Sequence, residues 1–145
     1  MEWLRTLQDL YPSIELTSGA TDAEVLACEQ GLGLLLPDDL KSLLAASDGV
    51  LGEYELGLVW PAERIKSDNL QFRSDPSFPE LYMPFDSLLF FGDAGNGDQF
   101  AFPIQAGEVR RPDIFVWSHE DDSRTWIAPS LGKFLQWWVS GHIKV

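Results

Sequence analysis

The chain has 145 residues, of which 23 are Asp or Glu and 10 are Lys or Arg, and its formal net charge of −13 opposes direct binding to a nucleic-acid phosphate backbone. Its length fits a single domain over residues 1–145, and its 45% hydrophobic content is enough to fill one core. The sequence lacks a run of the ~18 apolar residues that a membrane span needs, and its one cysteine, Cys28, excludes an internal disulfide and a multi-cysteine zinc site.

The segment 3–10 predicts a short amphipathic helix. Its apolar side chains recur near the spacing i, i+3, i+4 and i+7, at Trp3, Leu4, Leu7 and Leu10. Pro12 is expected to end this helix. The same part of the chain contains Glu2 and Asp9 and no long apolar core, so it lacks the pattern of a signal peptide, and the expected location is the cytoplasm.

Two further helices are predicted close together. The segment 21–33 begins with Thr21 three residues before Glu24, the arrangement of a capping box, and ends at Gly33, which can adopt the left-handed conformation of a helix C-terminus. The next helix is expected to have Pro37 at its first helical position, followed by two aspartates and a face of leucines. The short connection between them favours a helix pair.

The middle of the chain changes period. Residues 53–60 predict a strand with four side chains on one face, namely Tyr54, Leu56, Leu58 and Trp60. Pro61 then precedes a helix whose pattern includes Ile65, Asn69 and Phe72. Residues 73–84 contain three prolines and several turn residues, which indicate an irregular surface loop.

The last third of the chain predicts four short strands and a final helix. The strands are expected at residues 87–92, 98–104, 113–118 and 124–128, which is the pattern of an antiparallel meander. Ser130 can cap the helix that follows. Helices segregated around a mainly antiparallel sheet define an α+β fold.

The Gly- and Asp-rich tract that begins at Asp93 could in principle hold a metal, hold a phosphate or form a turn. Counted from Asp93, the third and fifth positions of a calcium loop are Gly95 and Gly97 and the twelfth is Ile104, so the required oxygen ligands are missing. A phosphate loop would need a lysine and a following helix, and the tract has neither. A hairpin turn is the favoured interpretation, with Asp93 and Asp98 bonded to backbone amides of that turn.

A second polar tract consists of His119, Glu120, Asp121 and Asp122. A histidine beside three carboxylates could indicate a metal site or an acid–base pair. The other histidine, His142, lies too far along the sequence for ligand spacing, and neighbouring residues of a strand point to opposite faces. A polar hairpin turn is therefore favoured here too, and we assign no catalytic residue, no metal ligand and no cofactor.

Four blocks of sequence, taken in order, carry a resemblance to a known family. They are "EVLACEQGLGLLLPDDLKSLLAASDG", "LGLVWPAERI", "LLFFGDAGNGDQFAF" and "IFVWSHEDDSRTWIAPSLGKFLQWW". The matching positions of the last two blocks are Phe91, Gly92, Gly95, Gly97, Asp98, Trp117, His119 and Glu120. In these features the chain resembles the SMI1/KNR4 family, the core of the SUKH superfamily.

The resemblance implies helices packed around a central, bent sheet and a function of binding proteins. Many bacterial members of the family resemble immunity proteins that neutralise a cognate toxin, often a nuclease or deaminase, and fungal relatives resemble scaffolds in cell-wall regulation. We therefore expect a non-enzymatic immunity protein that binds a toxin with a basic surface, with a regulatory scaffold as the alternative. A hydrolase that uses the clustered carboxylates is a third, less supported interpretation.

The expected partner-binding residues are mostly acidic, because carboxylates would pair with Lys and Arg of a toxin. They are Glu53, Glu55, Asp93, Asn96, Asp98, His119, Glu120, Asp121, Asp122 and Trp137. Trp137 is included because it neighbours a core position of the last helix and is rotated by about 100° from it. Neither a nucleic acid nor a membrane is an expected partner. Exposed edge strands are compatible with a homodimer, although core burial explains the tryptophan-rich C-terminus equally well.

Overall fold

A computed structural model describes residues 2–10 and 15–144, and the elements in these ranges form an α+β fold, as predicted. The helices are α1 (Trp3–Leu10), α2 (Asp22–Leu32), α3 (Asp38–Ala46), α4 (Ala62–Ser74) and α5 (Leu131–Val139). The strands are β1 (Glu15–Leu16), β2 (Val50–Leu51), β3 (Gly57–Val59), β4 (Leu88–Asp93), β5 (Gln99–Pro103), β6 (Ile114–Trp117) and β7 (Arg124–Ala128).

The strands form two antiparallel sheets that meet at β3 and β4. One sheet has the order β1-β2-β3 and the other has the order β4-β5-β6-β7. The Trp60 amide, just after β3, donates a hydrogen bond to the Phe91 carbonyl at 2.7 Å. Gly92 lies directly against the backbone of Leu58, where any larger residue would overlap the Leu58 carbonyl. This close approach joins the two sheets.

Both faces of β4 are covered, because successive side chains of a strand point to opposite sides. Phe90 packs on the side of α4, where its ring centroid lies 4.7 Å from that of Phe72 and 5.7 Å from that of Trp117. Phe91 packs on the opposite side, 4.8 Å from Phe102 and 5.6 Å from Phe134 of α5. The sheet therefore lies between α4 and α5 with an aromatic layer on each side.

The helix signals of the sequence are confirmed with one shift. Thr21 and Glu24 form the predicted capping box of α2, and Gly33 ends that helix with a φ of 64°. The Ser130 hydroxyl caps α5 by accepting a hydrogen bond from the Lys133 amide at 3.2 Å. The sequence predicted Pro37 at the first helical position of α3, and the structure places it one position earlier, at the N-cap. Both positions suit proline, because neither requires a backbone N–H within the helix.

The strand predicted over residues 53–60 is mostly wrong. Only Gly57–Val59 pairs as a strand, while Glu53–Glu55 forms a 3₁₀ turn. Tyr54 has a φ of 58° and is fully exposed instead of sharing the buried face of Leu58. The reason is the tight β2–β3 hairpin, in which Leu51 pairs with Gly57 and the Gly52 amide donates to the Leu56 carbonyl at 2.8 Å. Tyr54 therefore lies at the tip of a turn, where side chains do not alternate between the two faces of a sheet.

Other expectations are met in different degrees. The four strands of the meander and the helices at both ends are confirmed, with boundaries shifted by one or two residues. The two-residue strands β1 and β2 were not predicted. In the predicted loop 73–84, α4 continues to Ser74 and the rings of Phe78 and Tyr82 pack into the aromatic layer. Pro12 lies outside the described residues. None of the helices in the described part is long and apolar enough to cross a membrane.

Candidate functional site

Three turns lie side by side at one end of the sheets, and most of the sequence-predicted site residues belong to them. They are residues 53–56 between β2 and β3, 93–98 between β4 and β5, and 118–123 between β6 and β7, and we call them together the acidic turn surface. The Leu56 side chain covers Gly95, since a Cβ at position 95 would lie 3.4 Å from Leu56 Cδ1. His119 of the third turn contacts Asp98 of the second at 2.7 Å.

Asp98 holds the second and third turns together. One of its carboxylate oxygens, Oδ1, lies 2.7 Å from Nδ1 of His119 and also accepts a hydrogen bond from the His119 amide at 3.0 Å. The imidazole lies on the backbone of Gly97, which has a φ of 96°. Asp98 therefore bonds the neighbouring turn, whereas the sequence predicted bonds within its own turn.

Asp122 fastens the third turn to the segment that precedes β4. Its carboxylate accepts hydrogen bonds from Trp117 Nε1 at 2.8 Å and from the Met83 amide at 2.8 Å, and it pairs with Arg124 at 3.1 Å. Burial raises the pKa of Asp122, but the hydrogen bonds from Met83, Trp117 and Arg124 outweigh burial and lower it below its ordinary value. The pKa of Asp121 is also lowered, mainly by hydrogen bonds from Ser123.

Asp93 is paired with a cation. The Arg64 guanidinium of α4 binds it through two contacts, at 2.9 Å between Nη1 and Oδ2 and at 3.2 Å between Nη2 and Oδ1. Arg64 also pairs with Asp68 at 3.0 Å, and its guanidinium lies 4.3 Å from the centre of the Trp60 ring. A two-point contact of this kind fixes the orientation of both side chains. Asp93 therefore anchors the second turn to α4.

The carboxylates of the acidic turn surface thus fall into two groups. Asp93, Asp98 and Asp122 hold the turns in place through the contacts described above. Glu55, Glu120 and Asp121 are exposed and have no ion pair within the described ranges, 2–10 and 15–144. The outward-facing charge of this surface is negative, and the side chains that carry it stand on turns whose geometry is fixed by the inner carboxylates.

Two polar positions complete the predicted set within the three turns. Glu53 is exposed beside Tyr54 at the tip of the first turn. Asn96 is exposed at the tip of the second turn, and its side-chain oxygen accepts a hydrogen bond from the Asp98 amide at 3.0 Å. Sequence reasoning missed the exposed aromatic ring of Tyr54, because alternation placed that residue on a buried strand face. The neighbouring glutamates and Gly52 are the signal that could have indicated a turn instead.

Trp137 is the one predicted residue outside the three turns. It is half-buried on α5, and its ring contacts the His142 ring with a centroid distance of 4.8 Å and a tilt of 53° between the ring planes. Its backbone carbonyl accepts hydrogen bonds from the amides of His142 and Ile143. None of its ring contacts or hydrogen bonds in the described part of the chain reaches the acidic turn surface.

Two features of the described residues concern metal binding and thiol chemistry. Within ranges 2–10 and 15–144, no group of three His, Cys, Asp or Glu side chains is placed to hold a metal ion. Cys28 is buried, and burial, followed by the charge of Glu29, raises the pKa of its thiol to about 11. A thiol with that pKa is a poor nucleophile at neutral pH. The Asp98–His119 contact joins two turns.

The chain matches a protein-family model over most of its length. A family model described as SMI1-KNR4 cell-wall matches residues 22–135, from the first residue of α2 into α5. The match includes the second and third turns and all of the four-stranded sheet. No curated protein is significantly similar to the chain.

Proposed function

The chain belongs to the SMI1-KNR4 family, and from this premise we propose that it is an immunity protein whose acidic turn surface binds and neutralises a toxin domain. Fold membership alone leaves the partner open, so the proposal depends on the chemistry of the surface. The observation that carries it is that exposed carboxylates stand on turns whose positions are fixed by the inner carboxylates.

Such a surface suits a partner with exposed Lys and Arg. Complementary charge raises the rate of encounter and disfavours acidic competitors. Since Asp93, Asp98 and Asp122 fix the turns before binding, little loop ordering is left to oppose association. Tyr54, fully exposed between two glutamates, supplies an aromatic side chain of the kind that often dominates interface energetics.

The proposed toxin is a nuclease or a nucleic-acid deaminase. These enzymes bind phosphate backbones with basic surfaces. An acidic surface that covered such a site would compete with the nucleic acid for the same cations and would block access to the catalytic groups. The proposed mode of action is therefore steric and electrostatic occlusion of the toxin's active site. It needs no chemistry from this chain, and we place it in the cytoplasm.

A co-expression experiment tests the proposal directly. The toxin-like domain encoded nearest this gene is expressed with and without the protein, and surviving cells are counted. Rescue with stoichiometric co-purification supports immunity. If no neighbouring domain is neutralised and the folded protein instead binds several clients, the alternative of a regulatory scaffold replaces the toxin assignment.

Charge variants test which surface is used. Glu55→Gln combined with Glu120→Gln should weaken toxin binding roughly 2- to 30-fold and reduce its salt dependence, because each exposed ion pair contributes about 0.2–1 kcal/mol. Glu2→Gln combined with Asp9→Asn, which removes the same charge at α1, is the matched control and should leave affinity unchanged. Equal effects of the two pairs would mean that net charge, and no particular surface, drives binding.

A second pair of variants tests the aromatic tip. Tyr54→Ala should weaken binding about 30-fold or more, since an interface hot spot costs about 2 kcal/mol or more on truncation. Tyr54→Phe keeps the ring and should retain most of the affinity. Because Tyr54 has no buried surface, neither variant should alter the free energy of unfolding. Wild-type affinity in Tyr54→Ala would remove the first turn from the proposed contact.

A further inference from the structure

A groove lies at the end of the four-stranded sheet opposite the acidic turn surface. In an antiparallel meander, the connection between β5 and β6 is at the other end from the β4–β5 and β6–β7 turns. There the β5–β6 connection, through Gly107–Val109, faces the corner between α2 and α3 across a cavity of about 570 Å³. We call it the α2–α3 groove. Two smaller cavities share lining residues with it and extend it toward Ala20 and toward Pro112.

The walls of the α2–α3 groove carry unusually exposed leucines. Residues 34–36 connect α2 to α3, and within this segment Leu34 and Leu36 are buried while Leu35 between them is 73% exposed. Leu26 of α2 is 52% exposed on the same cavity. The Leu36 amide donates to Glu29 Oε2 at 2.8 Å, which fixes this segment. Two exposed leucines beside one concave, preformed cavity mark a site that an apolar side chain can enter.

The charges around the groove indicate which residues should flank the apolar side chain of a bound segment. All three cations already have an acidic partner, in the pairs Lys41–Glu29 at 3.7 Å, Arg110–Glu108 at 3.2 Å and Arg111–Asp113 at 3.1 Å.

Three lining carboxylates have no ion pair within the described residues: Asp22, Asp38 and Asp39. The unmatched charge at the groove is therefore negative, and an occupant with positive flanks complements it.

We propose that the α2–α3 groove binds an extended segment of a second protein, in which an apolar side chain packs between Leu26 and Leu35 and Lys or Arg residues on either side meet Asp22 and Asp38. No pattern in the sequence predicts this site, and the site does not depend on the toxin assignment. Because the groove and the acidic turn surface lie at opposite ends of the sheet, both can be occupied at once. One molecule could then link two proteins, which is the property of a scaffold.

The experiment is a selection of random 12-residue peptides displayed on phage against the full-length protein. The enriched peptides are expected to contain an apolar residue flanked by Lys or Arg. A synthetic copy of the strongest one should lose at least tenfold in affinity when its basic residues are changed to Glu. In wild-type protein, its addition should shift backbone amide resonances of residues 26–41 and 105–112 and leave those of the acidic turn surface unchanged.

Variants of exposed leucines make the test specific. Leu35→Ser should weaken peptide binding at least tenfold, whereas Leu81→Ser, at another exposed leucine, should not. Unchanged urea midpoints would show that both variants are folded, and unchanged toxin binding by Leu35→Ser would separate this site from the acidic turn surface. Failure to enrich any peptide, or equal binding by Leu35→Ser, would overturn the proposal. Dimerisation of the wild type that is lost in Leu35→Ser would also overturn it, with a second copy of this chain as the occupant.

Discussion

Replacement of Asn69 by leucine tests the contact that places β4, and with it the second turn, on α4. Asn69 is 1% exposed. Its amide nitrogen donates to the Phe90 carbonyl at 2.8 Å and to the Ile65 carbonyl at 2.6 Å, and its oxygen accepts from the Phe90 amide at 2.9 Å. Leucine has nearly the same shape, so Asn69→Leu removes these bonds without opening a large cavity.

The expected loss follows from the groups left unpaired. The Phe90 N–H and C=O both lose their side-chain partner in the core, at about 1–3 kcal/mol for each buried group, so we expect a loss of roughly 2–6 kcal/mol. The Ile65 carbonyl keeps its helical bond and is not counted. In urea, with a slope of about 1–3 kcal/mol per molar, the unfolding midpoint should fall by about 1 M or more.

Gln71→Leu is the matched control, because it makes the same chemical change on the exposed side of α4. It should change the free energy of unfolding by less than about 0.5 kcal/mol. A loss below about 1 kcal/mol for Asn69→Leu, with an unchanged urea slope, would refute the reasoning. It would mean that the Phe90 backbone finds other partners and that Asn69 does not position β4.

Three further predictions concern stability and reactivity. Gly92→Ala should lower the free energy of unfolding by about 3 kcal/mol or more in a urea titration, because the added Cβ would overlap the Leu58 carbonyl. Gly107→Ala is the control: its Cβ would lie in open space, so it should show only the cost of a positive φ, about 1–2 kcal/mol. Because burial raises the pKa of Cys28 to about 11, a thiol reagent at about pH 8 should label the native protein far more slowly than the urea-unfolded protein, and equal rates would contradict its burial. The folded-state pKa of Asp122 is lowered, so its ionisation stabilises the fold above the unfolded pKa of about 3.9 and this contribution is lost as pH falls through the folded value. The difference in urea midpoint between wild type and Asp122→Asn should therefore be larger at about pH 7 than below about pH 3, and a difference independent of pH would contradict the hydrogen-bonded role.

Local signals account for what could be predicted of the fold. The capping box of Thr21 and Glu24, the left-handed Gly33 and the cap at Ser130 each involve residues within a few positions of one another, so the sequence is enough to detect them. The strands of the meander were predicted because each is long enough to show its apolar pattern. The two-residue strands β1 and β2 are too short to show an apolar pattern, and their pairing is evident only from the structure.

The candidate site was predicted in composition but not in arrangement. The sequence identified the acidic turns, yet it predicted a partner contact for all of Asp93, Asp98, Glu120 and Asp121. A carboxylate holds its turn in place only if it has a partner elsewhere in the chain, such as Arg64 for Asp93 and His119 for Asp98. Such partners are set by strand register, which single-sequence patterns do not contain.

The sequence by itself determined the helices, the meander and the strongly negative charge, because periodicity, capping and composition are properties of neighbouring residues. Only the tertiary structure decided that Tyr54 is exposed at a hairpin tip, that three carboxylates are used as supports, and that Leu26, Leu35 and Val109 line one groove. Each of these depends on contacts between segments that are distant in the chain, and such contacts are fixed by sheet pairing and packing.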